Sequence, residues 1–219
     1  MSFDLSAAAY AASQDLKKQG LSIPRSHASE IIAALLGYGS LAALHIENAN
    51  TTLDYHLDDA ELLVLNLPAC QQRAAALNHT EAVVVSCVEA IVTQALVPVF
   101  KGVDDFYFEH AYEALVRVIA EGEGVASAMA DSNASYPDDP ELEEWETSGD
   151  LWASPTDWTI GASGTWTGGY DPEGDRMFNG DTLHFRGKLA YVKAGRAGLI
   201  RMDQEDGASP ADDWRDENY

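Results

Sequence analysis

The chain has 219 residues, 46% of them apolar, and sets 36 Asp and Glu against 13 Lys and Arg for a formal charge of -23. That length fills one substantial core or two modest ones, so global disorder is not expected. The charge argues against nucleic-acid binding and against docking on anionic lipid, because both partners require Lys and Arg to release counterions.

The opening Met1-Ser2-Phe3-Asp4-Leu5 has no basic n-region, so no secretory signal is expected. Leu5, Ala8, Ala9, Ala12 and Leu16 recur at three and four and predict a first helix closed by Gly20. Ser26 is placed to cap a second helix through Ile31, Ile32 and Leu35 that ends at Gly37, and a short third helix starts at Ser40. Asp58 with Glu61 reads as a capping-box variant opening a helix of Leu62, Leu63 and Leu65, and Pro68 either kinks it or starts another. Thr80 caps a long helix in which Val84, Val88, Ile91 and Ala95 share a face that Val83, Cys87 and Leu96 widen. So broad a surface predicts a central helix or one shared with a second subunit. The surrounding apolar stretch, residues 82–100, is interrupted by Ser86, Glu89, Thr93 and Gln94, which a bilayer penalises. A soluble cytoplasmic protein is the expectation. Cys70 and Cys87 lack a CxxC partner or a His at ligand spacing and read as buried free thiols. A last helix opens at Asp104 or Asp105 and is expected to bury Phe108, Ala111, Tyr112, Leu115, Val116 and Ile119 before Gly122.

Composition changes abruptly after residue 130. Residues 131–150 hold eight acids and no base, while all five tryptophans and eleven of seventeen glycines lie beyond residue 130. Short strands and tight turns suit that mixture. Trp158 and Ile160 alternate with polar neighbours before Gly161-Ala162-Ser163-Gly164, and Trp166 follows, which predicts a hairpin. Leu183, Phe185, Leu189 and Tyr191 alternate likewise before the turn Gly195-Arg196-Ala197-Gly198, after which Leu199 to Met202 continue. The expected fold class is therefore α+β: a bundle of about six helices over residues 1–130, an acidic linker over 131–150, a small antiparallel β module over 151–202, and an acidic tail over 203–219.

Sites of chemistry are sparse. Glu109, His110 and Glu113 share part of a helix surface and form a candidate metal cluster, but no second Glu-x-x-His motif accompanies them. Asp54, His56, Asp58, Asp59 and Glu61 read as helix-start chemistry. Asp171, Glu173, Asp175 and Asp181 do not match a calcium loop and read as turns. Phosphate-binding glycine loops, nucleophile elbows and His-Glu-x-x-His are missing from the sequence, so no cofactor and no resident metal are expected.

The segment from Ile23 through Pro24, Arg25, Ser26, Glu30, Ile31, Ile32, Leu35 and Gly37 to Tyr38, continuing to Leu41 and Leu44, resembles a small helical module of bacterial glyoxalase-related proteins, over about residues 10–45. In that module a Ser-capped helix with paired aliphatics ends in Gly-Tyr or Gly-Phe and a short helix follows; Leu41 stands where Trp is usual and Arg25 where His is common. The resemblance implies two packed helices. It brings no catalytic residue, because the metal-binding repeats of true glyoxalases have no counterpart here.

The acid forms two dense runs: Asp138, Asp139, Glu141, Glu143, Glu144, Glu146 and Asp150, then Asp203, Glu205, Asp206, Asp212, Asp213, Asp216 and Glu217. Between them the stretch from Thr182 to Arg201 carries Arg186, Lys188, Lys193, Arg196 and Arg201 and no acid, so the acidic segments are expected to fold loosely over a basic sheet face. With Trp145, Trp152 and Trp214 as aromatic contacts, the runs point to a non-enzymatic acidic binder of another protein. The expected partner is a basic nucleic-acid-handling complex, inhibited or regulated by carboxylates that imitate phosphates. The alternatives are a structural subunit that homo-oligomerises through the Val83 to Leu96 helix, and a metal-dependent enzyme using Glu109, His110 and Glu113.

Overall fold

The computed structural model describes residues 4–131, 134–170 and 182–210. In chain order the elements are α1 (Leu5–Lys18), α2 (Arg25–Leu35), α3 (Leu41–Asn48), a 3-10 turn (Leu57–Asp59), β1 (Leu62–Val64), α4 (Leu67–Ala76), α5 (Glu81–Gln94) and β2 (Val99–Phe100). There follow α6 (Val103–Phe106), a π-helical turn (Tyr107–Ala111), α7 (Tyr112–Glu121), α8 (Glu123–Asp131), β3 (Ala134–Ser135), β4 (Glu141–Thr147), β5 (Asp157–Thr167), β6 (Gly169–Tyr170), β7 (Thr182–Ala194) and β8 (Gly198–Pro210). The fold is α+β. Six strands form one mixed sheet in the order β2-β1-β8-β7-β5-β4, and β3 pairs with β6 separately. The chain divides into two compact units, Met1–Phe106 with Gly149–Trp158 and Tyr191–Arg201, and Tyr107–Ser148 with Thr159–Ala190 and Met202–Tyr219.

In the first unit, local signals set the helices. Asp4 accepts hydrogen bonds from the amides of Ser6 (2.9 Å) and Ala7 (3.1 Å) to start α1, and Ser40 accepts from Ala43 (3.1 Å) to start α3. The second helix begins two residues earlier than a Ser26 cap predicts, with Pro24 at its cap position and no side-chain cap. Proline's fixed φ supplies the entry that a hydroxyl would otherwise secure. Gly37, at φ +83°, ends the turn after α2, and a Cβ there would lie 2.8 Å from Trp152 Cδ1. Ala8, Ala12, Leu16, Ile31, Ile32, Leu35, Cys87 and Ile91 are fully buried in one core. Each Leu or Ile contributes about 1.5 to 3 kcal/mol by leaving water. α1, α2 and α4 all pack on α5 and bury Val83, Val84, Cys87, Val88 and Ile91, while Leu96, expected to widen that face, lies beyond the helix and is 84% exposed. Cys70 and Cys87 are buried free thiols as expected.

Leu62, Leu63 and Leu65 were expected on a helix, and the structure corrects this: Leu62–Val64 is a fully buried strand. A short apolar run has no periodicity of its own, so its partners decide. β1 runs parallel to β2 through Leu63 with Val99, and antiparallel to β8 through Leu62 with Leu199. Asp59, three residues after His56, accepts from the His56 amide (2.8 Å) and closes the 3-10 turn before the strand.

In the second unit α7 and α8 pack on a sheet face whose core is Ile119, Val125, Ala128, Trp166, Leu183 and Phe185. A Cβ on Gly187 would stand 2.7 Å from Ile119 Cγ1, so glycine lets the helix close on β7. The last helix is interrupted by the π-helical turn, which inserts a residue and shifts the phase of everything before it. Tyr107 is buried in consequence and Ala111 is buried as expected, whereas Phe108, expected inside, is 66% exposed and Tyr112, also expected inside, is exposed as well.

The expected hairpin at Gly161–Gly164 is absent, because β5 runs straight through it. Its glycine serves close approach instead of turning: a Cβ on Gly164 would lie 1.9 Å from the Glu141 carbonyl oxygen of the neighbouring strand. Alternation of Leu183, Phe185, Leu189 and Tyr191 is realised as β7, with all four buried. The sheet is mixed, not antiparallel, because β1 and β2 run parallel. Glu141–Thr147, inside the expected linker, is a strand, and the expected tail from residue 203 continues β8 as far as Pro210. Strand pairing outweighs the low β-propensity of Glu when each acid can face water.

Candidate functional site

The densest acid described lies on β4, which ends the order of the sheet and is an edge strand. It pairs antiparallel with β5 from Glu141 opposite Thr165 to Thr147 opposite Ile160, with a register shift between Leu142 and Glu144. That bulge uses Glu143 as the extra residue, and the Thr165 hydroxyl donates to its Oε1 at 2.7 Å. The bulge keeps Glu141, Glu144 and Glu146 in phase on the solvent face, while Leu142, Trp145 and Thr147 are half-buried. Asp138 and Asp139 are exposed immediately before the strand. The loop is held there by Trp166, whose indole donates to the Asp138 carbonyl at 2.6 Å.

On the same face β5 presents Thr159, Gly161, Ser163 and Thr165, and β7 presents Arg186 and Lys188. A concavity of about 640 Å³ lies over these strands, lined by Glu144, Glu146, Thr159, Ser163, Arg186 and Lys188 with intervening backbone. Acid stands on one side of β5 and base on the other, two interstrand steps or about 10 Å apart at the backbone.

The structure places the remaining sequence candidates as follows. Asp150 is exposed, belongs to the first unit and accepts from the Trp152 amide at 2.9 Å, which is turn chemistry. Trp145 stacks on Tyr107 at 4.7 Å and 15°, and Trp152 packs against the first core and donates to the Val64 carbonyl at 2.9 Å. Both indoles are thus engaged within the chain. Asp203, Glu205 and Asp206 lie on β8. Asp212, Asp213, Trp214, Asp216 and Glu217, and the turn acids Asp171, Glu173, Asp175 and Asp181, lie outside the described residues. Glu109 and Glu113 are exposed and His110 half-buried. Among the described residues no three His, Cys, Asp or Glu side chains converge as a metal site.

The basic run divides. Lys193 is 5% exposed, its ammonium donating to the Arg196 carbonyl at 2.7 Å and its amide to the Thr156 carbonyl at 2.8 Å. Burial lowers its pKa to about 7 against the attraction of Glu47 and Asp150. The turn it braces is gripped from outside as well, because Arg196 donates its amide to the Tyr38 hydroxyl at 3.2 Å, and that hydroxyl donates to Glu47. Burial and the Glu47 contact push the Tyr38 pKa up. A second ionisable pair is His27 with His79, ring nitrogens 2.9 Å apart; burial and the His27 charge lower the His79 pKa.

Sequence reasoning missed the opposed walls of the groove and the burial of Lys193. Both were available from parity, since Lys193 has the same phase as Leu183 to Tyr191 while Arg186 and Lys188 have the other. Comparison with known proteins finds no matching family model, no matching curated protein and no matching solved structure. No described helix is long and apolar enough to cross a membrane.

Proposed function

We propose that this chain is a non-enzymatic acidic binding protein that docks on a basic protein surface and competes there with nucleic acid. The observation that carries the reading is β4, an edge strand with Glu141, Glu143, Glu144 and Glu146 all exposed. Among the described residues none of these four carboxylates forms an ion pair. Four charges over seven residues at about 3.3 Å each give one per roughly 6 Å, about half the linear density of a DNA strand. Asp138 and Asp139 extend the row, and the overall charge of -23 adds long-range attraction for a basic groove. At that density the contact is expected to weaken about tenfold or more between 0.1 and 0.5 M salt.

The test captures partners on the immobilised chain and then asks whether duplex DNA displaces them. Displacement, salt sensitivity, and loss of capture by the chain carrying Glu141→Gln, Glu143→Gln, Glu144→Gln and Glu146→Gln are the expected results. Partners that persist in molar salt, or that do not bind nucleic acid, would overturn the reading.

A further inference from the structure

The concavity over β4, β5 and β7 holds opposite charges apart above a floor too small to cover itself. Thr159, Gly161 and Ser163 of β5 form that floor. Glu144 and Glu146 rise on one side, and Arg186 rises on the other with Lys188 adjoining it. Among the described residues Arg186 forms no ion pair with Glu144 or Glu146. Long side chains of opposite sign on one sheet face would ordinarily bend together when an intervening residue lets them, yet the space between remains about 640 Å³. That volume is in the range of small-ligand sites.

We propose that this groove binds a short peptide with free ends, two or three residues long, its amino group at Glu144 and Glu146 and its carboxylate at Arg186. Charge on both walls selects the class. A polyanion entering the groove meets Glu144 and Glu146, a polycation that reaches past them across β5 meets Arg186, and within the groove only a ligand carrying both signs is matched at each end. Length selects within the class, because two or three extended residues span about 7 to 10 Å, comparable with the roughly 10 Å of backbone spacing between β4 and β7. The planar fork of Arg186 suits a carboxylate bidentately, and the hydroxyls of Thr159 and Ser163 both donate and accept toward the peptide's amides. The proposal does not rest on docking to a basic partner, which makes no use of Arg186 or Ser163.

Trialanine titrated into the full chain, followed by backbone amide resonances, tests it. Saturable shifts at Gly161, Ser163 and Gly187 with a Kd of about 0.1 to 1 mM are expected. N-acetyl-trialanine and trialanine amide should each bind about tenfold more weakly or worse. Arg186→Gln should abolish the preference for a free carboxylate and keep that for a free amine. Glu144→Gln with Glu146→Gln should do the reverse, and Ser163→Phe should block the floor to every peptide. No saturation by about 10 mM trialanine overturns the proposal, and so does equal affinity for the capped peptides, a comparison that needs only the unaltered chain.

Discussion

Lys193 puts an ammonium where the alternation of β7 calls for an apolar side chain, and the arrangement has a measurable cost. Its pKa is about 7 in the fold and near the ordinary Lys value when unfolded. Between those values the unfolded chain binds the extra proton, so stability rises with pH through that window; below about pH 7 both states are protonated and the cost is constant. Opposing groups enter at higher pH. Burial raises Cys87 and Tyr191 to about 12 and raises Cys70 and Tyr38 too, so above about pH 9 unfolding releases protons and stability falls. Denaturant unfolding should therefore show stability climbing by about 1 kcal/mol per pH unit from pH 7 to 9 and declining beyond. Lys193→Met should flatten the climb and leave the decline; an unchanged slope in that variant would show that Lys193 is not its source. The parity of this residue could be read from Leu183, Phe185, Leu189 and Tyr191, but a lysine beside Arg186, Lys188 and Arg196 looks like one more member of a basic surface. Only the fold distinguishes them, because the partners of its ammonium come from a turn that the strand itself creates.

At the scale of the element, signals within a turn or two of the chain were readable and those depending on distant partners were not. Asp4, Ser40 and the apolar spacing of α5 specify helices locally, and those helices form. Leu62 to Val64 carry no such instruction and take the state that β2 and, far along the chain, β8 impose. The π-helical turn is a third kind of failure, because one inserted residue moves Phe106 and Phe108 between core and water without leaving a mark in the spacing. Phe106 is fully buried and packs edge-on against Phe100, Trp158 and Tyr191 at centroid distances of 5.1, 6.0 and 5.6 Å. Phe106→Ala should cost about 3 to 5 kcal/mol in chemical denaturation, and Phe108→Ala about 0.5 kcal/mol or less. Equal losses would mean that the phase is not shifted. The acids of β4 show how far a candidate site can be read in advance: their density was plain, but their position on an edge, with Glu143 as the bulge, depends on pairing with β5.

For the whole molecule, 36 acids against 13 bases make self-repulsion a general term, set among the described residues against attractive pairs such as Glu30 with Arg73 and Glu47 with Arg196. Screening should consequently stabilise. Raising salt from 0.01 to 0.15 M shortens the Debye length from about 30 to 8 Å, and the melting temperature is expected to rise by about 2 to 4 °C for each kcal/mol of repulsion removed. A flat or falling melting temperature would show that paired charges dominate instead. The pairing of Leu62 with Leu199 bears on synthesis as well. A ribosome delivers the α1 to α5 helices and β2 long before β8, the other strand that borders β1, so at half length the nascent chain leaves one side of Leu62 to Val64 an unfilled seat. The first unit, gathered from Met1–Phe106, Gly149–Trp158 and Tyr191–Arg201, is completed only when the third segment emerges, and until then its hydrophobic strand is what a chaperone would meet.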